Sequence, residues 1–302
     1  MSRNFYYPYP GNKRNEIKYF IERVTTFLDT HPEVKNIIEP FCGSCAVSFE
    51  IFQKYGDKYR YIMNDKDTKL IEFFTEIKKN TSKPCFDFVD QYWNKPILTQ
   101  ELYKELIAKK DEDIFHWFFW QRCYTLYQGR FYPECRRAQK SFTHAGFENR
   151  DKFVACCEFS NQDYAKFLEP YLGRKDTLIF WDPPYFQSSN GYYYDCKEKV
   201  TEDGFTKDYT VIWIDILKAL QTSTPSLLVS NYTSLLHHIL REFFTLKYGK
   251  FYTVNSGSAL LKEIKTKRRT QHVVYDNFED CPASQMSAIT SRLSTAISSR
   301  LP

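Results

Sequence analysis

Apolar and polar positions fall into two alternating rhythms along the chain. Residues 36–41, Asn-Ile-Ile-Glu-Pro-Phe, form the short apolar run of a buried strand, and a tight loop around Gly43 follows. Val47, Phe49, Ile51 and Phe52 then mark a helix, with Ser44 placed to cap it. Tyr59 to Asn64 reads as a second strand ending at Asp65, and Leu70, Ile71 and Phe74 mark the next helix. This βαβ unit predicts parallel strands with a right-handed crossover. From 81 to about 150 strand-like runs stop, and the pattern predicts a helical insertion with an aromatic centre at His116-Trp-Phe-Phe-Trp120, then a basic, Gly-containing stretch. Alternation resumes with a strand at 153–159, a helix from about 162, and a strand from Thr177 to Trp181 that runs straight into Asp182-Pro-Pro-Tyr185. A polar, Tyr-rich stretch over 186–204 has the composition of a lid. Beyond it the pattern predicts a helix from about 208, a strand from Leu227 to Val229 ending in Ser230-Asn231, a helix from Leu235 to Phe243, and strands near 244–248 and 271–276.

The fold class is therefore α/β, one sheet with helices on both faces, interrupted by an inserted, mainly helical subdomain. The expected boundaries are 1–80 and 151–280 for the two parts of the sheet domain and 81–150 for the insertion. Residues 281–302, rich in Ser, Thr and Ala, predict a disordered or loosely helical tail.

Composition changes this picture only in places. Of 302 residues, 42% are apolar, enough for a sizeable core. The 26 Phe, 23 Tyr and 5 Trp suit a Phe/Tyr-rich core, with any surplus available to stack on bases. A net charge of +5 is too mild to name a partner. Its distribution says more: Arg136, Arg137 and Lys140 cluster mid-chain, and Lys262, Lys265, Lys267, Arg268 and Arg269 near the end. Such runs are solvated faces unless another feature points to nucleic acid. Nine cysteines, no apolar leader and no membrane-length stretch predict an intracellular protein, cytoplasmic or nuclear, with free thiols. Cys42-Gly-Ser-Cys45 has the spacing of a redox or half-zinc motif but lacks a second pair, so no metal is expected.

Two constellations carry chemistry. The first is the strand–loop–helix at 37–52. A small residue at that turn lets backbone approach a ligand, and Asp65 ends the next strand, about 20 residues on, where nucleotide-binding folds place the acid for ribose hydroxyls. A structural turn with a helix-capping Asp is the alternative. The second is Asp182-Pro-Pro-Tyr185. Consecutive prolines donate no hydrogen bond and hold the chain extended, so their carbonyls and the Asp182 carboxylate are fixed acceptors. These suit an amino group with two N–H donors, with Tyr185 stacked on the ring that bears it. A plain turn at a strand end is the alternative here.

The order of these motifs resembles that of the Dam-like, α-arranged DNA adenine N6-methyltransferases, over nearly all of residues 5–278. The family's K-W-x-G-G-K is matched loosely by Pro8-Tyr-Pro-Gly-Asn-Lys13, its E-P-F-x-G-x-G by Glu39-Pro-Phe-Cys-Gly-Ser-Cys45, and its catalytic tetrapeptide by Asp182 to Tyr185. The resemblance implies a Rossmann-like S-adenosylmethionine-dependent methyltransferase sheet. It places the cofactor, with S-adenosylhomocysteine as product, against Tyr9, Gly11, Lys13, Glu39, Pro40, Phe41, Gly43, Ser44, Asp65 and Asp163. Asp182, Pro183, Pro184 and Tyr185 become catalytic. The insertion becomes a target-recognition element in which Arg122, Arg130, Arg136, Arg137 and Lys140 meet DNA, joined by Tyr194, Asn231, Lys267, Arg268 and Arg269. A flipped adenine, no metal, no membrane, a cognate restriction endonuclease as possible partner and a monomer or weak dimer complete the expectation. RNA is served by the same catalytic logic. A non-methylating relative that binds nucleic acid is the reading from another class. The chain departs from the pattern at Tyr9, where the family has Trp, and at Cys45, where it has Gly.

Overall fold

In the computed structural model, residues 5–7, 9, 13, 16–93, 98–127, 144–184, 216, 222, 224–231, 249–256 and 268–278 are described; for 124–127, 231, 249–256 and 268–273 this covers the backbone only. The strands are β1 (Asn36–Glu39), β2 (Arg60–Asn64), β3 (Cys157–Ser160), β4 (Thr177–Trp181), β5 (Ser226–Asn231), β6 (Gly249–Ser256) and β7 (Arg268–Asp276). They form one seven-stranded sheet in the order β3-β2-β1-β4-β5-β7-β6. The first five pair in parallel, whereas β7 lies antiparallel between β5 and β6. The order turns around between β1 and β4, so the loops leaving these two strands are neighbours at the carboxyl edge, where open α/β sheets bind ligands.

Strand periodicity explains the layers. Ile37 aligns with Tyr61 and Leu178, and these three belong to the larger apolar cluster. Ile38, Ile62 and Ile179, one residue on, belong to a second cluster. Successive side chains point to opposite faces, so every central strand is apolar at both parities and needs cover on both sides. The larger cluster is covered by α1 (Ile21–Thr30), α2 (Ala46–Tyr55) and α3 (Thr68–Asn80). The other is covered by Phe167 and Leu168 of α8 (Tyr164–Leu168) and by Ile216.

The predicted helical stretch contains α4 (Lys83–Trp93), α5 (Gln100–Ala108), α6 (Ile114–Tyr127) and α7 (Glu148–Cys156). These helices do not enclose a core of their own. Phe86, Trp93, Tyr103, Phe118 and Phe119 are buried within the same cluster as the first sheet face. Phe73 of α3 stacks on Phe118 of α6 at 5.1 Å, which stitches sheet layer to insertion. The aromatic excess is thus largely core: among the described residues, Tyr19 is the large apolar side chain that stands exposed.

Three expectations need correction. Residues 153–156 are helical, and the strand begins only at Cys157. The apolar run there has no period that separates helix from strand, and two acids in the first turn, Glu148 and Asp151, favour the helix. The strand expected near 244–248 is β6, at Gly249–Ser256. Ser44 does not cap α2; the N-cap residue is Cys45, which makes no side-chain cap bond. The lid at 186–204, the helix at 235–243 and the tail at 281–302 lie outside the described residues, as does all of the helix from 208 except Ile216. Among the described residues no helix is long and apolar enough to cross a membrane.

Candidate active site at the sheet edge

The loop after β1 is built from inward-facing bonds. Glu39, 2% exposed, accepts from both the backbone N–H and the hydroxyl of Ser48, at 2.8 and 2.5 Å, and so anchors the first turn of α2 to the end of β1. Burial raises its carboxyl to about 7, against the lowering effect of the Ser48 bonds; the charge of Asp182 raises it further. The buried Asn64 donates to the Pro40 carbonyl and to the Gln162 carbonyl, both at 3.1 Å, tying the loops after β1 and β3 together. Phe41 lies half-buried with its ring 5.1 Å from that of Tyr164.

Gly43 has φ +45, and its N–H donates to Asp65 at 2.9 Å. A Cβ there would fall 2.9 Å from the Tyr9 ring, so glycine is needed both for the backbone angle and for the close approach of Tyr9. Tyr9 of the N-terminal segment therefore lies against this loop. Cys45 is also left-handed, at φ 49 and ψ 35, without being glycine. For an L-residue that conformation costs roughly 1–2 kcal/mol. Cys45 is fully buried and a free thiol, as is Cys42.

Asp65 is not a helix cap. That task falls to Asp67, whose carboxylate accepts from Leu70 N–H at 3.1 Å. The two oxygens of Asp65 instead accept from Gly43 and Asp67 N–H groups, and burial lifts its carboxyl to about 6. A carboxylate has about four acceptor positions, so these backbone bonds leave room for a further donor. Asp163, exposed after β3, caps α8 through Ala165 N–H at 3.0 Å.

Asp182 follows β4 directly. Its carboxylate meets the Lys13 ammonium at 2.5 Å, with the two side chains 19% and 6% exposed. Burial raises the Asp182 carboxyl above its ordinary value and Lys13 opposes that rise. Pro183 is buried and Pro184 half-buried. Lys13 thus stands at Asp182 and joins the N-terminal segment to the end of β4.

The expected nucleic-acid contacts fare unevenly. Arg122 is 5% exposed; it donates to the Tyr6 carbonyl and lies over the rings of Phe86 and Phe118, so it packs in the core. Asn231 ends β5, and Arg268 and Arg269 pair with Ser256 and Asn255 at the start of β7. Gly11, Arg130, Arg136, Arg137, Lys140, Tyr185, Tyr194 and Lys267 lie outside the described residues.

Sequence reasoning missed a buried junction on α7. Asp151 accepts from Tyr6 hydroxyl (2.9 Å), from the N–H and hydroxyl of Ser82 (3.0 and 3.1 Å), and lies 3.0 Å from His144 Nε2. Its neighbour Arg150, 1% exposed, reaches the Cys45 carbonyl. Neither charge was singled out in the sequence, because no spacing marks a charge as buried.

Residues 9–129 match the family model described as D12 class N6 adenine-specific DNA methyltransferase. The resemblance read from the sequence is borne out over that segment, which takes in the loop after β1, Asp65 and most of the insertion and ends before Asp182. No curated protein matches the sequence. Among solved structures, the delta-N METTL16 MTase domain is similar at 10% identity and a TM-score of 0.37, covering 87% of this chain and 84% of that one. Human methyltransferase 10 domain containing protein gives 8% and 0.35, covering 87% and 83%. The putative methyltransferase yhhF from Escherichia coli gives 11% and 0.29, covering 91% and 92%. At this level of likeness the fold assignment rests on the strand order and register described above.

Proposed function

We propose that this chain methylates the exocyclic amino group of adenine in DNA, using S-adenosylmethionine. The observation that carries the reading is the placement of Asp182-Pro-Pro at the carboxyl end of β4, directly beside the glycine loop after β1, at the point where the strand order reverses. The D12 match over residues 9–129 supports it from the other side of the switch point.

The residues present fit the cofactor. Gly43 brings backbone close under the Tyr9 ring, and Asp65 offers acceptor capacity at the end of β2. These residues, with Phe41 and Asp163 on the adjoining loops, would hold it. When bound, the cofactor supplies an electrophilic methyl group on a sulfonium sulfur.

The chain's own residues do the rest. The Asp182 carboxylate and the Pro183 carbonyl accept the two N–H bonds of the amino group, which draws the nitrogen lone pair out of conjugation with the ring. Held this way, the nitrogen would be placed to take the methyl group that the bound cofactor would supply, and its surplus proton would pass to solvent. Asp182 acts as an acceptor, and no covalent enzyme intermediate is required. Lys13 keeps the Asp182 carboxylate ionised and oriented. Positioning the reactants supplies most of the acceleration. A duplex base cannot reach this edge, so the adenine is flipped or unpaired. The insertion at 81–150 supplies target recognition, with Arg136, Arg137 and Lys140 as its base or backbone contacts and Arg268 and Arg269 at phosphates.

Methyl transfer from radiolabelled S-adenosylmethionine to duplex DNA, single-stranded DNA and RNA, with Asp182→Ala alongside, tests the reading. Label recovered as N6-methyldeoxyadenosine and lost in the variant is expected. Label on RNA alone would move the substrate, and no label with nucleic-acid binding retained would make the chain a non-methylating relative.

A further inference from the structure

Arg150 is the most completely buried cation among the described residues that neither the catalytic reading nor the family resemblance uses. Its guanidinium lies 4.1 Å from the centre of the Phe49 ring and within 6 Å of Phe5 (5.5 Å) and Phe153 (5.8 Å). Nη1 donates to the Cys45 carbonyl at 3.4 Å, while Nε and Nη2 make no hydrogen bond. Dehydrating a permanent charge for one long hydrogen bond is unfavourable, and an apolar side chain of similar volume would cost less. The cation sits against one of the two described non-glycine residues whose φ is positive. Cys45 is left-handed, and its carbonyl also takes the Phe49 N–H at 3.0 Å, the bond that opens α2.

We infer that Arg150 is a positioning residue for the loop after β1, holding Cys45 in a conformation that glycine adopts freely and thereby fixing Gly43 and Ser44 beside it. Arg150 makes up for the glycine that the resembled family has and this chain lacks. The stack on Phe49 sets the height of the guanidinium, and the Cys45 carbonyl sets its direction. The role of this loop as a cofactor site rests on the function proposed above; the coupling between Arg150 and Cys45 does not.

A double-mutant cycle on the full chain tests the inference, using Arg150→Met, Arg150→Lys, Cys45→Gly and the combined variants. Cys42 reports on the loop in every background, through its rate of alkylation by iodoacetamide followed residue by residue in mass spectra. Buried Cys85 and Cys123 serve as references for global opening. Arg150→Met is expected to speed Cys42 alkylation about tenfold relative to the references and to weaken S-adenosylhomocysteine binding about tenfold, with Arg150→Lys recovering part of both. In the Cys45→Gly background both effects should shrink to about twofold or less. Equal effects in both backgrounds, or acceleration shared by Cys85 and Cys123, would overturn it, because Arg150 would then be only a structural residue. If Arg150→Met does not fold, Arg150→Lys with and without Cys45→Gly completes the same cycle. Coupled Cys42 protection in a chain that binds no S-adenosylhomocysteine would uphold the positioning role and remove the cofactor reading instead.

Discussion

The loops that follow β1 and β4 leave neighbouring strands at one sheet edge, yet they are held by different means. The first is closed from within and behind: Glu39 grips the start of α2, Asp65 holds Gly43, Asn64 holds Pro40, and Arg150 backs Cys45. The second presents Asp182 to the N-terminal segment, where its carboxylate meets Lys13 across an ion pair. Under the proposed function, the first arrangement would give the cofactor a surface already held in place, which lowers the ordering cost on binding. The second leaves Asp182 paired with a side chain from a separate segment, one that, under the proposed function, an incoming amino group would share or displace.

The largest expected effect falls on the second loop. Asp182→Asn should lower the rate of methyl transfer about 10²–10³-fold, as loss of a positioned hydrogen-bond partner does, with cofactor affinity nearly unchanged in equilibrium binding. An equal loss in both would show that the two loops are not separable. The next falls on the first loop. Gly43→Ala forces a Cβ against Tyr9 at a positive φ and should cost about 1–2 kcal/mol of stability in denaturant melts, with weaker cofactor binding. Adding Tyr9→Ala should recover the steric share and leave the backbone share, and full recovery would mean that the angle costs nothing.

A pH measurement sharpens the contrast. Burial raises Glu39 from its ordinary 4.5 to about 7. Between those values the folded chain keeps a proton that the unfolded chain has released, so stability falls as pH climbs through that window. Glu39→Gln should flatten this part of the profile, on the order of 1–3 kcal/mol between pH 5 and 7, while Asp65, raised to about 6, still contributes below that value. An unchanged slope in the Gln variant would place the titration elsewhere. Smallest is Tyr6→Phe, which removes one of the bonds to Asp151 and should cost about 1 kcal/mol with cofactor binding unaltered.

How far these features could be read from sequence follows the physics of each. β1, α2, β2, α3 and β4 were legible because their apolar periods are clean and breakers bound them, and Asp182-Pro-Pro was legible because prolines leave few conformations. The start of β3 was not, since Phe153 to Cys157 is apolar at every position and fits either period. The burial of Arg122, expected at DNA, and of Arg150, not singled out at all, was hidden for a different reason. A charge in sequence looks solvated, and only three-dimensional packing shows a guanidinium laid on Phe86 or Phe49. The ion pair of Lys13 with Asp182 was not legible, because spacing cannot tell which of two neighbouring loops a side chain will reach.

Helix α7 ends at Cys156 and β3 starts at Cys157, with no residue between them. The returning end of the insertion is therefore spliced rigidly into the sheet, at a helix whose adjacent residues clamp the N-terminal arm and the glycine loop. Anyone wishing to transplant a foreign recognition segment into this scaffold has to make the downstream joint before His144 and carry residues 144–156 over unchanged. A graft cut closer to β3 would discard Asp151 and Arg150 along with the old segment, and with them the contacts to Tyr6 and to the Cys45 carbonyl.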